Sequence, residues 1–243
     1  MKTVAIIQAR LGSTRLPGKV LRELGGKPML ERVVRRVRRA ATLDQVVVAT
    51  TGLDGDRPVV ELCDELGVDV WRGSEHDVLD RFHGAARATR ANVVVRITAD
   101  CPFIDPGVID QVVGEYRERL PEVDYASNVA PVRCWPRGLD TEVFGFATLN
   151  RIWREDDDPA RREHVTPFIY RHPELFRLHN VVGPGDESHH RWTVDTPEDL
   201  ALAAAVYDHY GHDLFSWRDV LALVRQQPEL SALNAHVEQK APV

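Results

Sequence analysis

A doubly wound α/β fold, a Rossmann-like three-layer sandwich with a mixed-sheet extension, is the class this 243-residue chain predicts, on three observations. Short β-branched runs at residues 3–7, 45–49 and 93–97 are apolar on both faces, as strands of a parallel sheet covered by helices must be. Amphipathic stretches at 28–40, 57–66 and 77–89 separate them, giving a β-α-β-α-β rhythm. After about Leu120 the rhythm changes to shorter strand-like runs around Tyr125 and at 141–146 and 176–182, with helical stretches at 147–155 and 162–172. A final strand at 191–194 is predicted to lead into helices at 197–210 and 217–227. The polar tail beyond Pro228 is expected to fray at its end.

Composition narrows the function. The net charge of −6 supplies no basic field, so neither nucleic acid nor an acidic membrane is expected as partner. The arginine-rich run 32–39 carries Val33, Val34 and Val37 at helical spacing and reads as a helix with a solvated basic face. Cys63, Cys101 and Cys134 are scattered and odd in number, against a disulfide framework or a zinc cluster and for a reducing cytoplasm. The N-terminus shows no signal-peptide pattern, and no apolar stretch approaches the ~20 residues of a membrane span. The acidic run 156–158 before Pro159 reads as a solvated turn.

In open α/β sheets ligands bind beyond the carboxyl ends of the strands, so the residues after each strand carry the functional information. After the first comes Gln8-Ala9-Arg10-Leu11-Gly12-Ser13-Thr14-Arg15-Leu16-Pro17-Gly18-Lys19, nearly a Walker A loop. It has one residue too many between its glycines, and Val20 where a magnesium-binding hydroxyl should stand. Its amides, hydroxyls, arginines and lysine suit a polyphosphate; the alternative is a polar connection ending in a Pro-Gly turn. After the third strand stand two aspartates. Asp105 precedes Pro106 in N-cap position and is assigned to the helix, which leaves Asp100 able to hold Mg²⁺. After the last strand, Thr196, Pro197 and Asp199 fill a capping box, which leaves Asp195 as a second uncommitted carboxylate. Ser74 and Asp77 also have capping-box spacing, next to a Gly73 that would admit close approach of a base or sugar. His189 and His190 find no third metal ligand in spacing and are assigned to surface or substrate contacts.

In the order IIQARLGSTRLPGKVL, VVVATT, RGSEHDVLDRF, VRITADCPFID, GLDTEVF, REHVTPFIY and HRWTVDTPEDL, these blocks resemble a cytidylyltransferase. The branch they resemble most is the spore-coat-polysaccharide type, related to CMP-sialic acid and ketodeoxyoctonate cytidylyltransferases. The resemblance implies a nucleotide-diphosphosugar-transferase-like fold in one domain, 1–243. Its 121–185 portion would form an acceptor pocket and the contact of a homodimer. It implies that Arg10, Ser13, Arg15 and Lys19 bind CTP phosphates in the loop that also holds Ala9, Leu11 and Gly12. Gly73, Ser74 and Asp77 would lie by the cytidine, and Asp100 and Asp195 would bind Mg²⁺. Arg137, Asp140, Glu142, Arg162, Glu163 and His164 match the region lining an acidic acceptor, a sugar acid or related acid, or a phosphonate. Lys19, Arg15, Asp100 and Asp195 would carry the chemistry, displacement of pyrophosphate. A glycosyltransferase using a nucleotide-sugar donor and a non-catalytic nucleotide-binding module are the alternatives. A nicotinamide dehydrogenase lacks its G-x-G-x-x-G here.

Overall fold

Residues 1–239 are described by the structure, a computed structural model. Strand β1 (Thr3–Gln8) lies inside a seven-stranded sheet with β4 (Gln45–Thr51), β5 (Asp69–Gly73), β6 (Val93–Thr98), β7 (Tyr125–Ser127), β8 (Glu142–Gly145) and β9 (Leu178–Asn180). A separate two-stranded ribbon pairs β2 (Glu23–Leu24) with β3 (Lys27–Pro28). The sheet order is β5-β4-β1-β6-β8-β7-β9. Strands β1, β4, β5 and β6 are parallel, whereas β8 runs antiparallel to both of its neighbours, and β9 is parallel to β7.

The doubly apolar strands sort their side chains onto two cores. Ala5, Ile7, Val48 and Val95 pack on one face with α1 (Met29–Val37), α2 (Arg57–Glu65), α4 (Pro106–Glu118), α8 (Pro197–Tyr210) and α9 (Trp217–Gln226). Val4, Ile6, Val47 and Val94 pack on the other with α3 (Val78–Thr89), α5 (Phe146–Glu155) and α7 (Pro167–Arg171). Alternation along each strand sends successive residues to opposite faces, so burying both requires helices on both sides.

Several sequence expectations are corrected. Residues 191–194 form no strand. They run extended along the strand ends, with one bridge between Arg191 and Arg137, and Val194 N donates to Asp100 O at 2.8 Å. The helix expected over 162–172 is two, α6 (Pro159–His164) and α7, interrupted at Val165, whose φ is 71°. Pro167 has no N–H to continue the ladder and stands instead at the start of α7, where none is needed. The basic run is a solvated face only in part: Arg35, Arg38 and Arg39 are exposed, but two of its arginines turn inward. Arg32 and Arg36 are 3% and 0% exposed, Arg36 donating to Ile104 O and Asp213 O and stacking 4.4 Å over Phe215. Backbone oxygens and an aromatic face replace the water these cations lose.

The acidic run is likewise structural: Asp156 is buried against Arg161 and Asp158 caps α6, and of the three only Asp157 is exposed. Beyond Pro228 the chain forms α10 (Pro228–Ala232) and buries Asn234, and the chain end expected to fray, 240–243, lies outside the described residues. Strand β5 and the β2–β3 ribbon lacked a readable pattern, because the first is a half-exposed edge and the second is two residues per strand.

Candidate functional site

The ends of β1 and β6 and the 191–195 segment meet at a cleft of about 590 Å³. The loop after β1 is held by a residue far away in sequence: Asp56, 4% exposed, accepts from Leu11 N at 2.7 Å and from the Thr51 hydroxyl. Gly18 sits at φ 67°, a left-handed conformation that turns Lys19 inward. Ser13, Gly18 and Lys19 spend their amides on carbonyls of the loop itself, and Leu16 N donates to Ser13 Oγ. The charge this loop offers a ligand therefore comes mainly from Arg10, Arg15 and Lys19.

Lys19 reaches the strand ends. Its Nζ donates to Asp100 Oδ2 at 2.7 Å, Asp195 Oδ1 at 2.8 Å and Val194 O at 2.9 Å. Arg15 Nη2 adds a contact to Asp195 Oδ1 at 3.0 Å. Burial works against ionising Asp100, but the Lys19 ammonium and the Thr98 hydroxyl outweigh it and hold the carboxyl down at about 2. Burial likewise works against the Lys19 charge, and the two aspartates raise its pKa above the ordinary value regardless. Neither aspartate caps a helix. Asp105 accepts from Gly107 N and Val108 N, and Asp199 completes the Thr196 capping box, as the spacing predicts.

Three oxygens, two of them carboxylate, thus converge on one positively charged atom. That hard, anionic oxygen set is the kind a magnesium-sized divalent cation takes, so Asp100 and Asp195 fit such an ion, with Lys19 standing in for its charge.

Of the other predicted residues, Ala9, Arg10, Gly12, Ser13, Arg137, Asp140, Glu163 and His164 line the same cleft. Arg10 pairs with Glu163 at 3.1 Å. Arg133 takes both oxygens of Asp140, at 2.7 and 2.8 Å, and among the described residues no carboxylate forms an ion pair with Arg137. Burial and the neighbouring Arg133 push the Arg137 pKa below its ordinary value. The Arg137-Gly138 backbone is clamped to the 191–195 segment: Trp192 N donates to Arg137 O at 2.7 Å, and a Cβ on Gly138 would lie 2.7 Å from Trp192 C.

Leu11, Gly73, Ser74, Asp77, Glu142 and Arg162 do not line it. Asp77, rather than Ser74, is the N-cap of α3, and its other oxygen pairs with Arg162 Nη2 at 2.8 Å. Glu142 is buried below the cleft floor, bonded to Arg96, Tyr125 and Thr166. Gly73 serves packing: a Cβ there would lie 3.3 Å from Arg81 Cγ.

Sequence reading missed Gln8, Arg81 and Arg96, which also line the cleft. Five buried side-chain polar atoms lack a partner among the described residues, and Gln8 Oε1, Arg81 Nε and Arg96 Nε are three of them. Unpaired buried polar atoms are costly, so their concentration here marks a place completed by a polar ligand. Burial, then Arg10, lowers the Arg81 pKa to about 10. The structure does supply His189 and His190 with a third neighbour, Glu187, their ligand atoms lying within 4.8 Å of one another. Glu187 is held by Arg225 at 2.5 Å, and none of the three lines the cleft.

A family model described as Cytidylyltransferase matches residues 4–215. The chain is 35% identical over 235 residues to the spore coat polysaccharide biosynthesis protein SpsF of Bacillus subtilis, covering 92% of this chain and 94% of that one. It is 43% identical over 241 residues to a 3-deoxy-manno-octulosonate cytidylyltransferase of Anaeromyxobacter dehalogenans, covering 85% and 98%. A cytidylyltransferase structure from Leptospira borgpetersenii superposes with a TM-score of 0.92 at 29% identity, covering 99% of each chain.

Proposed function

The chain belongs to the cytidylyltransferase family, and from that premise we propose that it transfers CMP from CTP to an acidic sugar or a related acid, phosphonates included. It is a CTP-dependent nucleotidyltransferase. The observation that carries the reading is the meeting of Lys19 with Asp100 and Asp195 beside the basic loop. An acceptor oxygen forms a bond to the α-phosphorus of CTP as the bond from that phosphorus to the bridging oxygen of pyrophosphate breaks; a hydroxyl acceptor gives up its proton to water.

Arg10, Arg15 and Lys19 neutralise the triphosphate and the departing pyrophosphate. Asp100 and Asp195 hold Mg²⁺, which when bound screens the phosphate oxygens and favours departure of pyrophosphate. Arg137, which lines the same cleft and among the described residues pairs with no carboxylate, binds the acid group of the acceptor. The 3-deoxy-manno-octulosonate enzyme's name supports an acidic sugar as that acceptor.

We assign the 121–185 portion to the acceptor side and to a homodimer contact. Supporting the contact, Val132 and Val182 are 64% and 62% exposed, and Val132 N bonds Asn180 Oδ1 two residues from Val182.

The test is pyrophosphate release from each NTP with Mg²⁺ and a panel of sugar acids and phosphonates. Release with CTP and one acceptor is expected, and Asp100→Ala or Asp195→Ala should abolish most of it with the fold retained. CTP binding without turnover on any acid, or wild-type turnover in both variants, would sink the reading. Light scattering gives the oligomeric state.

A further inference from the structure

The far oxygen of Asp195, Oδ2, is held by the Arg191 guanidinium. Arg191 donates from Nη2 to Asp195 Oδ2 at 2.9 Å, and from Nε and Nη2 to the two oxygens of Asp199, each at 2.9 Å. Asp199 in turn accepts from Asp195 N at 2.9 Å, so side chain and backbone of Asp195 are tied to the same pair. Arg191 and Asp199 are 8% and 2% exposed, and Arg191 does not itself line the cleft.

The pair is closed from outside by the C-terminal segment. Asn234, 4% exposed, donates from Nδ2 to Arg191 O at 2.9 Å and to Asp199 Oδ1 at 2.8 Å. The Arg191 Nη1 group bonds Gln239 Oε1. Asn234 and Gln239 lie beyond the 4–215 region that matches the family model.

Fork geometry explains the choice of residue. Lys19 and Arg15 approach Oδ1 of Asp195 and Arg191 approaches Oδ2, so the carboxylate is held from both sides and cannot rotate freely. A lysine at 191 could not bond Asp195 and both Asp199 oxygens in one plane. Burial of the pair removes competing water, and Asn234 consumes the remaining Arg191 carbonyl and an Asp199 lone pair with a neutral donor.

We propose that Arg191 is a positioning residue that presents Asp195 to the magnesium-bound nucleotide, and that Asn234 makes the C-terminal segment part of this site. The proposal rests on reading Asp195 as a metal-holding carboxylate.

The measurement is CTP affinity by calorimetry without acceptor, once with Mg²⁺ and once with chelator, on full-length wild type, Asp195→Asn, Arg191→Lys and Asn234→Ala. Melting curves confirm that each is folded at the temperature used. Arg191→Lys and Asn234→Ala should lose about tenfold of the magnesium-dependent gain in CTP affinity, with affinity in chelator unchanged. A purely structural role would instead lower both affinities together or neither, and either pattern overturns the proposal. If Asp195→Asn loses the gain while the other two keep it, the positioning role falls and the metal reading stands. If Asp195→Asn keeps it, the metal reading falls and the proposal with it.

Discussion

The Lys19 ammonium lies 2.7 Å from Asp100 Oδ2, so the last residue of the loop after β1 neutralises a carboxylate at the end of a strand 81 residues away. With Asp195 bonded to the same nitrogen, this lysine serves two groups that would otherwise repel each other.

Lys19→Met should therefore separate metal affinity from turnover. Manganese binding to the nucleotide-free protein, read by electron paramagnetic resonance, should tighten, because the competing ammonium is gone. Pyrophosphate release should fall by about a hundredfold or more, because the phosphates lose a fixed cation. Unchanged turnover would remove Lys19 from the mechanism.

Acid stability should report the same pair. Asp100 has a folded pKa of about 2 against its usual 3.8, so its ionised form stabilises the fold fully above the higher value and this is lost as pH falls through the lower. That difference corresponds to about 2 kcal/mol. The stability gap between wild type and Asp100→Asn should shrink by roughly that amount from about pH 5 to about pH 2, measured by thermal or urea unfolding. A gap independent of pH would show that the pairing contributes nothing.

Arg137→Gln should act on the acceptor alone. Losing one charge-assisted contact predicts an acceptor KM raised about tenfold, with the KM for CTP unaltered. Equal increases for both substrates would place Arg137 elsewhere in the reaction.

Glu142→Gln tests a residue that matched the acceptor region by sequence but lies under the floor of the cleft. Removing its charge leaves Arg96 buried without its partner, so a loss of about 3 kcal/mol in unfolding free energy is expected. An acceptor KM change without loss of stability would contradict the structural role.

The parts of the fold legible in the sequence were those with local signals. Strands β1, β4 and β6 are runs of β-branched residues, and Asp105 and Thr196 announce their helices through the residues just after them. Asp100 and Asp195 were found because local capping accounted for their neighbours and not for them. What sequence hid depends on distance along the chain. Asp56 secures the phosphate loop from 45 residues away, and Arg96 meets Glu142 across 46. Arg32 and Arg36 look solvated until Asp213, Tyr207 and Phe215 fold over them. Arg81 could have been sought behind Gly73, since the missing side chain there makes its room.

The reversed strand β8 has a consequence for how such an enzyme can diverge. Lys19 and Asp100 follow strands that run toward the cleft, in a register fixed by parallel pairing on both sides of β1. Asp140 and Arg137 instead precede a strand that runs away from it, so the wall proposed to take the acceptor is built on the approach to β8. Insertions or new sequence in that approach leave the β1–β4–β6 register untouched. If the proposed assignment holds, the nucleotide side can stay constant while the approach to β8 is redrawn for different acids, with the Arg137–Trp192 clamp joining the two.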